Sequence, residues 1–254
     1  MIESGNVIVN HQEGICTVSF FHPQSNSLPG SLLRKIAEEI NLAGENPEVK
    51  VIVLKSEGEK TFCAGASFDE LISIKDLETG KRFFSGFAAV INAIRKAPKF
   101  VLVRVQGKAV GGGVGIACAG DYTLATEAAA VKLSELAVGI GPFVVGPAVE
   151  RKTGNAAFCQ MTINATEWQS AHWAREKGMY TDLFADVAAL DQALNALANK
   201  LAASNPEAMR MLKAVMWEGT EHWDELLAER AEMSGRLVLS EFTRNAIHKF
   251  KSKA

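Results

Sequence analysis

The 254-residue chain has no Cys-x-x-Cys pair, no apolar stretch of about 20 residues and no surplus of one charge. Cys16, Cys63, Cys118 and Cys159 stand far apart. That spacing argues against a disulfide framework or a thiolate metal site, and predicts free thiols in a reducing, cytoplasmic setting. His11, His22, His172, His222 and His248 lack paired ligand spacing, so no metal is expected. With no long apolar run, no bilayer-spanning helix and no membrane partner are expected. The opening Met1-Ile2-Glu3-Ser4-Gly5-Asn6 lacks the basic and apolar regions of a secretory leader. Lys and Arg number 27 against 29 Asp and Glu, a net charge of −2 that supplies no field to recruit nucleic acid.

What is present is an ordinary globular balance, 48% apolar and 22% charged, in a chain long enough to bury a substantial core. Val7-Ile8-Val9 and Ile15 to Phe20 flank Glu13-Gly14 as an antiparallel hairpin. Leu32, Leu33, Ile36, Ile40 and Leu42 recur at helical spacing after Pro29-Gly30-Ser31. Strands are predicted at Val49–Leu54, Phe100–Val105, Tyr122–Ala125 and Ala130–Leu133, and a helix from Thr79 to Lys96. The fold class is therefore α/β, with strand–strand–helix units repeating loosely and without a strict period. From about Asn155 the pattern is helical throughout: one helix opens at Thr166-Glu167, another starts at Pro206, and a long one runs from Asp224 to Leu239. Asp121 is expected to anchor a helix-to-strand transition. Trp168, Trp173, Trp217 and Trp223 suit helix packing or subunit contacts.

Two loops invite a functional reading. Gly111-Gly112-Gly113 stands between a β-branched strand and the small apolar segment Val114 to Ala119. Glycine permits positive φ and close approach, and the first N–H groups of a helix lack intrahelical partners. Such a turn either packs a helix tightly on a sheet or stabilises an oxyanion. Cys63-Ala64-Gly65-Ala66-Ser67-Phe68 is a second small-residue loop at a strand end, able to offer another N–H to the same oxygen. Glu135 is a lone carboxylate in the apolar, glycine-punctuated run Leu133 to Pro142. Burial would raise its pKa toward that of a useful acid or base. The alternative is that Ser134 caps a helix with Glu135 in its first turn.

These motifs together resemble the enoyl-CoA hydratase/isomerase, or crotonase, family. Phe62 to Ala66 resembles its first oxyanion loop, and Val105-Gln106-Gly107-Lys108-Ala109-Val110 with the glycine triplet resembles the second. Gly120-Asp121, Asn26-Ser27-Leu28 and Ser240-Glu241-Phe242 with Arg244 match further elements in the family's order, so the similarity spans nearly the whole chain. The resemblance implies a ββα spiral core over 1–188, carrying the CoA-binding and oxyanion loops, and a helical oligomerisation region over 189–254. It implies a homotrimer or hexamer, and an acyl-CoA thioester substrate that brings coenzyme A with it, so no resident cofactor is expected. The Ala66 and Gly112 amides would hold the thioester oxygen, with Glu135 as the catalytic carboxyl. Ala64, Gly65, Ser67, Phe68, Gly111, Gly115, Pro142 and Phe143 would contact substrate, with the adenine near Ala64–Ser67. The basic tail His248 to Lys253 is either a solvated terminus or a contact for CoA phosphates.

Two departures from the family pattern bear on the reaction. The first family glutamate is replaced by Gly115, and an acidic residue by Ser67. One carboxyl suffices to move a proton between two carbons, which suits double-bond isomerisation. Gly113-Val114-Gly115, Ser134-Glu135 and Gly141 to Val145 instead resemble a hydratase branch acting on methylglutaconyl-type thioesters in branched-chain catabolism. Hydration or dehydration of a branched enoyl-CoA is the favoured expectation and isomerisation the alternative. An inactive scaffold or RNA-binding homologue is the reading from another class.

Overall fold

The computed structural model describes residues 5–251. The leader expectation at Met1–Ser4 and the basic tail's side chains from Phe250 onward lie outside that description. Strands β1 (Asn6–Gln12) and β2 (Ile15–Phe21) form the expected antiparallel hairpin. Its two-residue turn places Glu13 at φ 49° and Gly14 at φ 80°, the left-handed pair that matches strand twist. Helix α1 (Gly30–Glu45) then buries Leu32, Leu33, Ile36 and Ile40 on one face, while Leu42, two residues beyond Ile40, turns off that face and is exposed.

The next residues wind as a spiral in which each turn gives one strand to each of two sheets. The first turn is β3 (Val51–Ser56), β4 (Thr61–Cys63) and helices α2 (Phe68–Ser73) and α3 (Leu77–Lys96). The second is β5 (Phe100–Val105), β6 (Lys108–Val110) and α4 (Gly112–Ala119). The third begins with β7 (Tyr122–Thr126) and β8 (Val131–Lys132). Strands β3, β5 and β7 extend the larger sheet in parallel, while β4, β6 and β8 make a small parallel sheet beside it. The larger strands read as unbroken apolar runs because both faces are covered. Ile52, Leu54, Val101 and Val103 face the main core. Val51, Val53, Leu102 and Leu124 face Leu190, Leu194 and Ala198 of a later helix.

The C-terminal half departs from the expected all-helical run. Helix α5 (Gly146–Ile163) is interrupted at Gly154, φ 77°. Helix α6 (Ala171–Glu176) opens at Ser170, whose hydroxyl accepts from Trp173 N, rather than at Thr166, because Gln169 is held in a bridge to Val131. Strand β9 (Asp182–Phe184) then joins the large sheet beside β7. Three residues are too few to display alternation, and its partner lies far back in the chain. Helix α7 (Val187–Ala202) is the one covering the sheet, and the expected boundary between 188 and 189 falls within it.

Helices α8 (Pro206–Met216), α9 (Trp223–Leu237) and α10 (Glu241–Lys251) complete the chain. Helix α9 crosses α3 where Gly80 meets Gly235: a methyl on Gly80 would lie 2.9 Å from the Gly235 Cα. Asp121 anchors more than the transition after α4. Its carboxylate accepts from Val101 N, Lys213 Nζ and Trp217 Nε1, each at 2.7 Å, and so pins α8 to the sheet. Lys213 is buried and also donates to the Ile94 and Lys99 carbonyls. Truncating one member of such a pair strands a charge. Asp121→Ala is therefore expected to cost about 3–5 kcal/mol in urea unfolding. Asp121→Ala with Lys213→Met should cost less than the two single changes summed.

Candidate active site

The first small-residue loop is positioned by the segment before α1. Asn26, at φ 56°, accepts from His22 N through Oδ1 and donates Nδ2 to the Glu57 and Thr61 carbonyls. Ser25 O accepts from Ala64 N at 3.1 Å. Leu28 then bridges Ala66 in parallel, its N–H donating to Gly65 O and its carbonyl accepting from Ser67 N. That pattern uses the groups flanking Ala66 and turns the Ala66 N–H to the opposite edge. It donates to no atom among the described residues.

The second loop is the start of α4. Gly111 has φ 53° and ψ −115°, a conformation that favours glycine, and donates its N–H to Lys132 O at 2.9 Å. Gly112 opens the helix, and its N–H likewise has no acceptor among the described residues. The two loops are in contact: a methyl on Gly65 would lie 3.0 Å from Val110 O and 3.7 Å from Gly112 N. A side chain at Gly112 would run into the Phe87 ring. Cys63 lies beneath the triplet against Gly113. Burial pushes its thiol up to about 12, which keeps it protonated and inert.

Glu135 follows β8 and precedes a 3₁₀ turn (Leu136–Val138). Neither it nor Ser134 makes a side-chain cap there, so the capping alternative is not what forms. The carboxyl turns inward instead: a methyl on Gly111 would lie 2.8 Å from its Oε1, and Oε2 is buried with no hydrogen-bond partner. Loss of hydration raises its pKa from the ordinary 4.5 to about 7, against a smaller opposing bond from its own N–H. The turn holding it is braced from the C-terminus, where Thr243 Oγ1 donates to Gly139 O at 3.1 Å and Phe242 packs on Gly139.

These parts enclose a cavity of about 460 Å³. Ala64, Gly65, Ala66, Phe68, Gly111, Gly112, Glu135, Pro142 and Phe143 all line it, so most of the expected residues are brought together. Two are not. The Ser67 hydroxyl faces away and accepts from Glu70 N as the cap of α2. Gly115 is covered by the Val145 side chain, which fills the space a carboxylate at 115 would need. Phe84 and Phe87 of α3 also wall the cavity, and sequence reasoning missed Lys132 and Trp168 at its edge. What places the phenylalanines there is the contact between α3 and the triplet, which joins distant segments. Trp168 is not a helix-packing residue: it is exposed beside the cavity, whereas Trp217 and Trp223 are buried edge to face at 5.8 Å. No cluster of three or more metal-ligating side chains occurs among the described residues.

A family model described as enoyl-CoA hydratase/isomerase matches residues 10–253. The chain belongs to that family. It is 25% identical over 254 residues to the short-chain-enoyl-CoA hydratase of Clostridium acetobutylicum, covering 99% of this chain and 97% of that protein. It is 28% identical over 200 residues to the mitochondrial methylglutaconyl-CoA hydratase of Rattus norvegicus, covering 77% and 63%. Among solved structures, an enoyl-CoA hydratase from Mycobacterium avium subsp. paratuberculosis superposes with a TM-score of 0.84 at 25% identity, over 97% of this chain and 96% of that one. The ββα spiral of this chain is thus the family fold.

Two outcomes follow from the site as built. Folded Glu135 keeps a proton that the unfolded chain loses between pH 4.5 and about 7. Its contribution to stability is fullest below 4.5 and falls as pH rises to about 7. Glu135→Gln, a neutral isostere, should melt several degrees above the parent at pH 8, with the gap closing toward pH 4.5 in thermal scans. Gly115→Glu should lose at least the roughly 1–3 kcal/mol typical of overpacking. Adding Val145→Gly should recover part of that loss in the same assay.

Proposed function

We propose that this protein is an enoyl-CoA hydratase or dehydratase that works with one carboxyl, Glu135, on a short branched enoyl thioester of the methylglutaconyl type. The observation that carries the reading is the Glu135 carboxyl, buried without a partner at Oε2 and set against the glycine turn, with a pKa of about 7. A group poised near neutrality serves in both protonation states. Ala66 and Gly112 N–H groups hold the thioester oxygen and stabilise the enolate as charge moves onto it. Ionised Glu135 takes a proton from water as the oxygen adds to the β-carbon. The resulting acid returns that proton to the α-carbon, so one water is added and the carboxylate is restored. Coenzyme A enters and leaves as part of the substrate. Similarity to named hydratases over most of the chain supports this direction.

Isomerisation is the second reading, favoured by Val145 standing where a second carboxyl would be. Glu135 would then move a proton between the carbons of a dienolate and no water would be incorporated. Incubating straight-chain, branched and glutaconyl-type enoyl-CoAs in heavy water separates the two by mass spectrometry. Hydration adds the mass of water; isomerisation adds deuterium alone. No reaction across the panel would favour the scaffold alternative and overturn both. Glu135→Gln should lose about 10²–10⁴-fold in kcat while acyl-CoA affinity stays within a few-fold. In the hydration direction, kcat/KM should rise with pH through about 7 as the base ionises.

The reading includes self-association as a trimer or paired trimers. Met211, Leu212, Val215 and Met216 of α8 are exposed large apolar side chains, which supports a covered face in the assembly. Sedimentation velocity should give three or six times 27.3 kDa. A monomeric active enzyme would refute this part.

A further inference from the structure

The small sheet carries two ammonium groups that the catalytic reading leaves unused. Lys132 is paired in register with Val110, and both line the cavity. Lys108 stands two residues before Val110 on the same strand and so shares that face. Trp168 adjoins Gln169, which bridges Val131, and this brings the indole within reach of both ammonium groups. Lys132 Nζ lies 4.5 Å and Lys108 Nζ 5.1 Å from the Trp168 ring centroid. Neither lysine has an ion-pair partner at salt-bridge distance among the described residues. Glu167 is the acidic group whose charge reaches Lys132, while Lys108 opposes it. Two like charges over one ring repel, and an anion seated between them would remove that cost. The site is also near the chemistry, since the Lys132 carbonyl accepts the Gly111 N–H of the turn that carries the Gly112 amide.

The geometry points to Lys108, Lys132 and Trp168 as a recognition site for an anionic group of the substrate, a carboxylate or a phosphate. The inference rests on the thioester reading for placing the rest of the ligand. A carboxylate would be the distal acid of a dicarboxylic acyl chain, and a phosphate would belong to coenzyme A. Both would accept charge-assisted hydrogen bonds from the ammonium groups, with the indole as the apolar wall.

Isothermal titration with unreactive saturated thioesters tests this without requiring turnover. Butyryl and glutaryl groups, each on coenzyme A and on phosphate-free pantetheine, make four ligands. If the anion is the acyl carboxylate, Lys108→Met with Lys132→Met should weaken both glutaryl ligands about tenfold or more and spare both butyryl ligands. If it is a phosphate, both coenzyme A ligands weaken and both pantetheine ligands do not. Quenching of Trp168 fluorescence by the weakened ligands, absent in Trp168→Phe, would support either arm. Affinities within twofold of the parent for all four ligands would overturn the inference. So would an equal loss that includes butyryl-pantetheine. A parent protein that binds with this discrimination yet converts no enoyl thioester would sink the catalytic reading and leave the anion site standing.

Discussion

Everything at this site depends on two stretches of main chain lying closer than side chains would allow. Gly65 meets Val110 O and Gly112 N, Gly111 meets the Glu135 carboxyl, and Gly112 meets the Phe87 ring. A Cβ at Gly111 or Gly112 would displace its neighbour, and one at Gly65 would crowd Val110 O at 3.0 Å. The same crowding sets the Gly111 main chain against the buried Glu135 carboxyl, which has lost its hydration. The proton affinity of Glu135 and the approach of the two loops thus share one packing constraint.

That constraint is held by groups distant from it. The buried Asn26 amide ties the first loop to β4 and its approach, and Asp121 ties α8 to the strand that leads into the second. Asn26 is satisfied by main-chain groups, and Asp121 by one main-chain N–H and two side chains, as buried polar groups must be. The apolar work is divided by the large sheet, one face going to α7 and the other to the helices around the cavity. The site rests on the small sheet instead, whose strands are only two or three residues long.

Much of this was legible in the residues. The hairpin, α1, α3, β5 and the glycine turn each carry a local signal of alternation, helical period or punctuation, and each lies within a few residues of its expected place. Glu135 stood out as a carboxylate in an apolar run. What the sequence hid depends on contacts between distant segments. Strand β9 is too short for a period, and Gln169 is drawn out of a helix by Val131. Ser67 looks like a substrate residue until Glu70 N claims its hydroxyl. Gly115 reads as a lost carboxylate, and only packing reveals Val145 in that space. Lys108, Lys132 and Trp168 are unremarkable singly and become a group through strand register alone.

The brace from α10 onto the Glu135 turn has a consequence for synthesis. Thr243 and Gly139 are 104 residues apart, and Ser234 of α9 also lines the cavity. A chain emerging from the ribosome presents its glycine turns and phenylalanines well before the segment that closes over them has been made. Throughout that interval the half-built chamber stays wet and sticky, a surface suited to a holding chaperone. The pocket is completed late, with the final helices, so a prematurely terminated chain lacks the Thr243 brace on the Glu135 turn.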